Sequence, residues 1–469
     1  MRKSFLALAI LLAMVGCKTG SPVISVEGGL VKGVPTKTPG VTVFKGIPFA
    51  APPVGDLRWK APQPLVPWQG TRSCNKWGHP AWQEAHNPGG YTAEFFFDGD
   101  PEFSEDCLYL NIWTPAAGDS EAKLPVTLWI HGGAYVAGWG FEPEMDGEEW
   151  AKHGGILVSC NYRLGLLGFL AHPDLSAESP NGVSGNYGLL DQIAALKWVK
   201  NNIEAFGGDP DHITIMGQSA GALSVKALIT SPLAMDMLSG AIIQSGSGIV
   251  DKPLLGEDPL SDAESAGKAL MDWAGYKTLE EMRAAPAEEL VTLTDRYADK
   301  TGQQPSGVNA PVIDGYVLKE PFSDAALGGR IADVPYMIGA TLDDMYVLGK
   351  GIDKFCLERE KAGGIAYAYL FARRLPTDGR PDVLSGAFHS SELWYMFKSL
   401  SHCWRPFTEG DYELAEQMIT FWTNFAACGN PNGTQEDTWT PYSEESPMTM
   451  VLKLNATKSS ASSAMIEVP

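Results

Sequence analysis

The sequence predicts an α/β protein with a central, mostly parallel sheet flanked by helices. Three observations predict it. First, short apolar runs alternate with stretches of helical periodicity, as parallel strands joined by helical crossovers require. Val126–Ile130, Gly155–Tyr162 and Ala241–Gly246 read as buried strands. Asn186–Pro210 reads as a helix, with Leu189, Leu190, Ile193, Leu196, Trp198, Val199 and Ile203 at helical spacing. Second, at His212–Leu223 an apolar run passes through Gly217-Gln218-Ser219-Ala220-Gly221 straight into the helix-like run Ala220–Ile229. Third, 469 residues, 44% hydrophobic and 19% charged, suffice for one large core, read here as a single domain over 23–469.

The formal net charge is −21. No basic face is left to meet phosphates, which excludes nucleic acid as a partner. Seven cysteines over this length do not make a disulfide scaffold. At the N-terminus, Met1-Arg2-Lys3 is basic and Phe5–Val15 is an apolar run too short to span a bilayer. It ends Gly16-Cys17, which resembles a bacterial lipobox. Residues 1–17 are therefore expected to be a lipoprotein-type signal with Cys17 lipidated, and 18–22 a polar tether. The protein is expected to be exported and held at the cell envelope by its lipid, or otherwise to be periplasmic or secreted.

Val23–Ala61 reads as antiparallel hairpins, with Val23–Val26 and Val41–Phe44 as strands and Gly28-Gly29 as the turn between them. Val126–Ile130 leads into His131-Gly132-Gly133-Ala134-Tyr135, where a glycine run lets backbone N–H groups turn inward, as an oxyanion hole needs. His131 stands at the strand end and is expected to hold that loop rather than act as a base. In the strand–turn–helix at Ser219, small neighbours let a serine stand out on a sharp turn. The helix that starts there aims the Ala220 N–H at the reacting centre. Cys160 reads as a small core residue, Pro259–Asp299 as surface helices and Leu414–Phe425 as an amphipathic helix.

From Phe44-Lys45-Gly46-Ile47-Pro48-Phe49-Ala50 onward the chain resembles the type-B carboxylesterases, the cholinesterase-related branch of the α/β-hydrolases. The resemblance is most specific at Ser104-Glu105-Asp106-Cys107-Leu108-Tyr109-Leu110-Asn111-Ile112-Trp113, and it runs from about Val23 to about Val451. It implies an α/β-hydrolase fold and hydrolysis of small-molecule carboxylic esters through an acyl-enzyme, with no metal or organic cofactor. It implies Ser219 as nucleophile, and Gly133, Ala134 and Ala220 as oxyanion donors. The triad carboxylate falls five residues after Gly339, at Asp344, with Asp343 as its neighbour and competitor. The histidine is His389, in Phe388-His389-Ser390-Ser391-Glu392. The chain order Ser219, Asp344, His389 is that of the α/β-hydrolases. Where the family often has glycine, this chain has Ala134 and Ser390. The family's cysteine partner for Cys107 falls at Ala81; Cys74 lies nearby, so a Cys74–Cys107 bridge stays open.

Two departures bear on substrate. Gln218 is neutral where cholinesterases carry glutamate, which argues against choline esters. His389 follows Asp344 by only 45 positions, fewer than is usual, which implies a shortened helical cap and a preference for short acyl groups. A long-chain lipase is the alternative, with 257–301 folded over the mouth in place of the cap. So is a non-catalytic binding protein on the same fold, which would be expected to lack the serine or the histidine.

Overall fold

A computed structural model describes residues 21–467 except 88, 346–348, 381–382, 435–437 and 456–459. Cys17 and the expected signal segment, residues 1–17, lie outside the described residues. Eleven strands form the main sheet: β1 (Val34–Pro35), β2 (Thr42–Pro48), β3 (Tyr109–Thr114), β4 (Leu124–Ile130), β5 (Ile156–Cys160), β6 (Gly208–Gln218), β7 (Gly240–Gln244), β8 (Tyr336–Thr341), β9 (Ala366–Phe371), β10 (Met448–Leu454) and β11 (Ala461–Glu467). Their spatial order is β11-β10-β9-β8-β7-β6-β4-β5-β3-β2-β1. Strands β5, β4, β6, β7, β8, β9 and β10 are mutually parallel. Antiparallel pairs close both ends.

The parallel strands are buried and largely apolar through the middle of the sheet because helices cover both faces. Alternate residues serve alternate faces. Ile215, Ile243 and Ile338 point to one side, where they meet Leu189, Ile193 and Leu196 of helix Tyr187–Asn202 and Val225 and Leu228 of helix Ala220–Thr230. Met216, Ile242 and Met337 point to the other, where they meet Leu414, Met418, Trp422 and Phe425 of helix Glu409–Cys428.

Some expectations are corrected and others are borne out. The helix expected through Pro210 ends at Asn202. A 3-10 turn follows over Ile203–Phe206, and Gly207 at φ 87° closes it in the left-handed conformation glycine favours, so β6 begins already at Gly208. Val23–Val26 pairs not with Val41–Phe44 but with Gly29–Lys32, in a separate three-stranded sheet with Thr71–Ser73. Residues 42–48 join the main sheet instead. The stretch expected as surface helices folds into four, Leu260–Ala274, Leu279–Ala284, Ala287–Val291 and Leu293–Thr301. Their inner faces close a core of their own with Trp59, Leu166, Leu167, Leu170 and Tyr187. Cys74 and Cys107 are both buried and both free, and Ala81 pairs with Ser104 in an isolated bridge. Cys160 is fully buried, as expected.

A buried ion pair ties two distant parts of the chain together. Glu94, on the short helix Gly90–Phe95, takes both Nε and Nη2 of Arg405 at 2.7–3.0 Å and the Trp394 indole N–H at 3.1 Å. Both side chains of the ion pair are almost wholly excluded from solvent. Among the described residues between Asp344 and His389 the single helix is Ile352–Lys361, and it is the crossover from β8 to β9.

Candidate active site

Strand β6 ends at Gln218, and Ser219 turns the chain at φ 58°, ψ −125° into helix Ala220–Thr230. A non-glycine residue there is strained and persists only where its surroundings hold it. The Ser219 N–H donates to the Gln244 carbonyl at the end of β7, 2.9 Å away. The flanking glycines are dictated by crossing backbones. A Cβ on Gly221 would lie 2.1 Å from the Ile130 carbonyl oxygen, and one on Gly217 would lie 2.4 Å from that of Gly221.

The turn after β4 lies against this elbow. Gly133, Ala134 and Tyr135 follow one another at φ 95°, 53° and 64°. A Cβ on Gly132 would stand 3.2 Å from the Ser219 Cβ. Among the described residues no carbonyl takes the N–H of Gly133 or Ala134. As the first residue of its helix, Ala220 has no intrahelical acceptor for its own. His131 is buried and stacks on Tyr162 at 4.4 Å, and the Tyr162 hydroxyl donates to the His131 carbonyl. Its Nδ1 lies 2.9 Å from the Gly132 carbonyl oxygen. Burial pushes it down to about 4, so it is neutral and holds the loop, as expected. Behind the loop, Glu142 accepts the Trp139 N–H at 2.8 Å. Burial raises Glu142 to about 7 and raises its neighbour Glu144 further.

Asp344 and His389 meet from the far side. Asp344 Oδ1 lies 2.8 Å from His389 Nδ1, with both side chains largely buried. Burial pushes the Asp344 carboxyl up. The hydrogen bond and charge of His389 outweigh that, helped by Ser245 and the Met345 N–H, and hold it below its ordinary value. The second oxygen, Oδ2, has no hydrogen-bond partner among the described residues; the Ser245 hydroxyl favours the carboxylate without reaching hydrogen-bonding geometry. Asp343 points elsewhere: it accepts the Ala387 N–H at 2.9 Å and pairs with Arg374 at 3.0 Å. Ser390 sits at φ 74°, and Ala134 at 53°, so both places where glycine was expected have a backbone that suits glycine.

One contact expected of such a set is not made. No hydrogen bond joins the Ser219 hydroxyl to His389 among the described residues. The Gln218 amide nitrogen lies instead 3.3 Å from His389 Nε2 and 3.5 Å from Nδ1. Such contacts often tighten only with substrate bound.

Three neighbours escaped the sequence reading. Tyr91 stands edge-on to the His389 ring at 6.5 Å. Ser245 backs Asp344. Glu392 is wholly buried, with neither carboxylate oxygen hydrogen-bonded among the described residues; burial first and the Asp344 charge second raise it to about 8. Glu392 follows His389 by three positions, and that spacing was the one available signal.

This is the fold of the α/β-hydrolases, with the candidate groups at the carboxyl ends of parallel strands. The chain belongs to the carboxylesterase family, whose model matches residues 20–355 and 346–467. It is a carboxylic ester hydrolase. It is 33% identical to the para-nitrobenzyl esterase of Bacillus subtilis over 484 residues, covering 92% of this chain and 94% of that one. It is 41% identical to the fumonisin B1 esterase of Sphingopyxis macrogoltabida over 341 residues, 70% of this chain and 58% of the relative. A solved thermophilic PNB esterase superposes with a TM-score of 0.77 at 29% identity, covering 94% of this chain and 97% of that one.

Proposed function

We propose that this protein hydrolyses short-chain or small carboxylic esters through a serine acyl-enzyme, while held at the cell envelope by a lipid on Cys17. The observation that carries the mechanism is the meeting of three chain segments at one place: Ser219 on its strained turn, the Gly133–Ala134 loop across it, and the 2.8 Å Asp344–His389 pair. The Ser219 hydroxyl attacks the ester carbonyl, and His389 Nε2 takes its proton. The N–H groups of Gly133, Ala134 and Ala220 meet the developing oxyanion, each contributing about 3 kcal/mol. His389 passes the proton to the departing alcohol. Asp344 fixes the imidazole tautomer and stabilises its charged form. Water then repeats the sequence on the acyl-enzyme. Before acylation the Gln218 amide must give way, so that Nε2 can meet Ser219.

The short-chain preference rests on the lack of a capping helix among the described residues between Asp344 and His389. Leu342 and Met345, beside Asp344, are half-exposed. Each acyl methylene left in water forgoes about 0.8 kcal/mol of transfer free energy. A p-nitrophenyl ester series should therefore peak in kcat/KM between acetate and about hexanoate. A maximum at laurate or longer, with activation at an oil–water interface, would make the protein a lipase. Stoichiometric organophosphate labelling of Ser219 tests the nucleophile. Phase partitioning of wild type against Cys17→Ser tests the anchor, and an unmodified mature N-terminus elsewhere would remove it.

A further inference from the structure

Strand β7 ends at Gln244, and the chain then turns through Ser245-Gly246-Ser247-Gly248. Ser245 and Ser247 sit at φ 52° and 58°, a left-handed backbone that serine keeps only where its surroundings enforce it. Backbone hydrogen bonds enforce part of it. The Ser245 N–H donates to the Gly339 carbonyl at 2.8 Å, the Gly248 N–H to that of Lys350 at 2.8 Å, and the Ile249 N–H to that of Gly351 at 2.9 Å. Gly339 precedes the segment carrying Asp344, and Lys350 and Gly351 follow it. The turn is thus bonded to both flanks of that segment. Packing is close, since a Cβ on Gly248 would lie 1.9 Å from the Gly351 carbonyl oxygen.

The ammonium of Lys226 lies under this turn. Lys226 is on the helix headed by Ser219, two turns along, and is only 3% exposed. Its Nζ donates to the Gly246 carbonyl at 3.1 Å, the Ser247 hydroxyl at 3.3 Å and the Gly248 carbonyl at 3.4 Å. All three acceptors belong to the one turn. The nonpolar side of the ammonium's surroundings is the Phe322 ring, 4.3 Å away. Lys226 makes no ion pair among the described residues; Glu257 acts on it through space. Burying an ammonium without a carboxylate partner is costly, and an apolar side chain would fill the same space at lower cost. Stability alone therefore does not account for a lysine here.

We infer that Lys226 is a positioning residue for ester hydrolysis: its ammonium holds the Ser245–Gly248 turn, and through it the Asp344 segment, in register with Ser219 at the head of the same helix. This rests on the reading of Asp344 as the catalytic carboxylate. Nucleophile and carboxylate are then coupled through one helix and one side chain rather than through the sheet alone.

Lys226→Met keeps the stem and removes the three donors. On p-nitrophenyl acetate, kcat per organophosphate-titrated site should fall about tenfold to a hundredfold, the scale of a small misplacement of catalytic groups, with KM within about threefold. A lysine that merely supports the fold would lower the melting temperature and the titratable fraction and leave kcat per titrated site at the wild-type value; that result overturns the inference. Charge state gives a second readout. Burial lowers Lys226 to about 8, with Glu257 opposing. The charged and titratable groups around it are Glu257, the Tyr135 phenol that also feels Glu257, and Asp251, Asp324 and Lys354, which share a cleft with Glu257. With Glu392→Gln as background, to remove the carboxyl that titrates in the same range, kcat should fall along an alkaline limb near pH 8. Lys226→Met should lack that limb. If Lys226→Met does not fold, the background profile decides: kcat flat to about pH 9.5 with unchanged circular dichroism overturns the inference. Asp344→Asn separates the two readings. Wild-type kcat in Asp344→Asn removes the catalytic carboxylate itself, whereas an inactive Asp344→Asn beside an unaffected Lys226→Met removes only the role of Lys226.

Discussion

The two halves of the candidate site are held by different physics. On the nucleophile side, backbone meets backbone: Gly132, Gly217 and Gly221 stand where a methyl group would collide with a carbonyl oxygen or with Ser219 itself. On the acid–histidine side, charge and hydrogen bonding dominate. Asp344 is held below its ordinary value, Asp343 ties the histidine loop through the Ala387 N–H, and Glu392 stands behind, raised to about 8. A sterically defined half tolerates changes of pH and refuses changes of volume. An electrostatically defined half responds first to changes of charge and pH.

The largest effect falls where the halves must cooperate. Ser219→Ala should cut p-nitrophenyl acetate turnover by at least about 10⁴-fold at an unchanged melting temperature; near-normal turnover, with contamination excluded, would end the triad proposal. Asp344→Asn should cost about 10³- to 10⁴-fold in kcat by favouring the wrong imidazole tautomer. Asp343→Asn should cost less than about tenfold, because it loosens the histidine loop without touching the ring. Reversal of that pair would move the acid one residue back.

The next comparison is steric. Gly221→Ala forces a Cβ to 2.1 Å from the Ile130 oxygen and should destabilise by about 3 kcal/mol or more, read by urea denaturation. Ser390→Gly, on the other side, relieves a φ of 74° and should stabilise by up to about 1 kcal/mol. Equal effects of the two would erase the contrast between the two halves of the site. The smallest effect is the pH response. Glu392 has a folded value raised far above 4.5, so its stabilisation is complete below about pH 4.5 and is lost as pH rises through about 8. Glu142, raised to about 7, adds to the same loss. Melting temperatures should therefore fall from pH 6 to pH 9, and Glu392→Gln should fall less. Identical slopes would show that Glu392 ionises freely in the folded protein.

The steric half was the more legible in the sequence. Gly217, Ser219, Gly221 and the Gly132–Gly133 pair sit in short contiguous motifs, because crossings of neighbouring backbone leave their mark in residues next to one another. The strands β4, β5 and β7 were legible as apolar runs for the same local reason. Asp344 and His389 were found through resemblance and register, since nothing local distinguishes Asp344 from Asp343. Glu392, Ser245 and Lys226 are not legible because a buried polar or charged residue looks, in one dimension, like an exposed one. The helix end at Asn202 is hidden in the sequence because the hydrophobic pattern continues through Ile203 and Phe206, and only the Gly207-Gly208 pair marks the stop.

The Glu94–Arg405 pair has a consequence for how the molecule is made. Its partners are 311 positions apart, and neither is solvated in the finished protein. A ribosome that has delivered the first three-quarters of this chain has produced a carboxylate whose cation does not yet exist. Until Arg405 arrives, the pocket around Glu94 must stay open to water, because closing it over a lone charge costs several kcal/mol. The domain therefore completes itself only after synthesis is nearly finished. Truncation before Arg405 should yield a protease-sensitive chain rather than a smaller esterase.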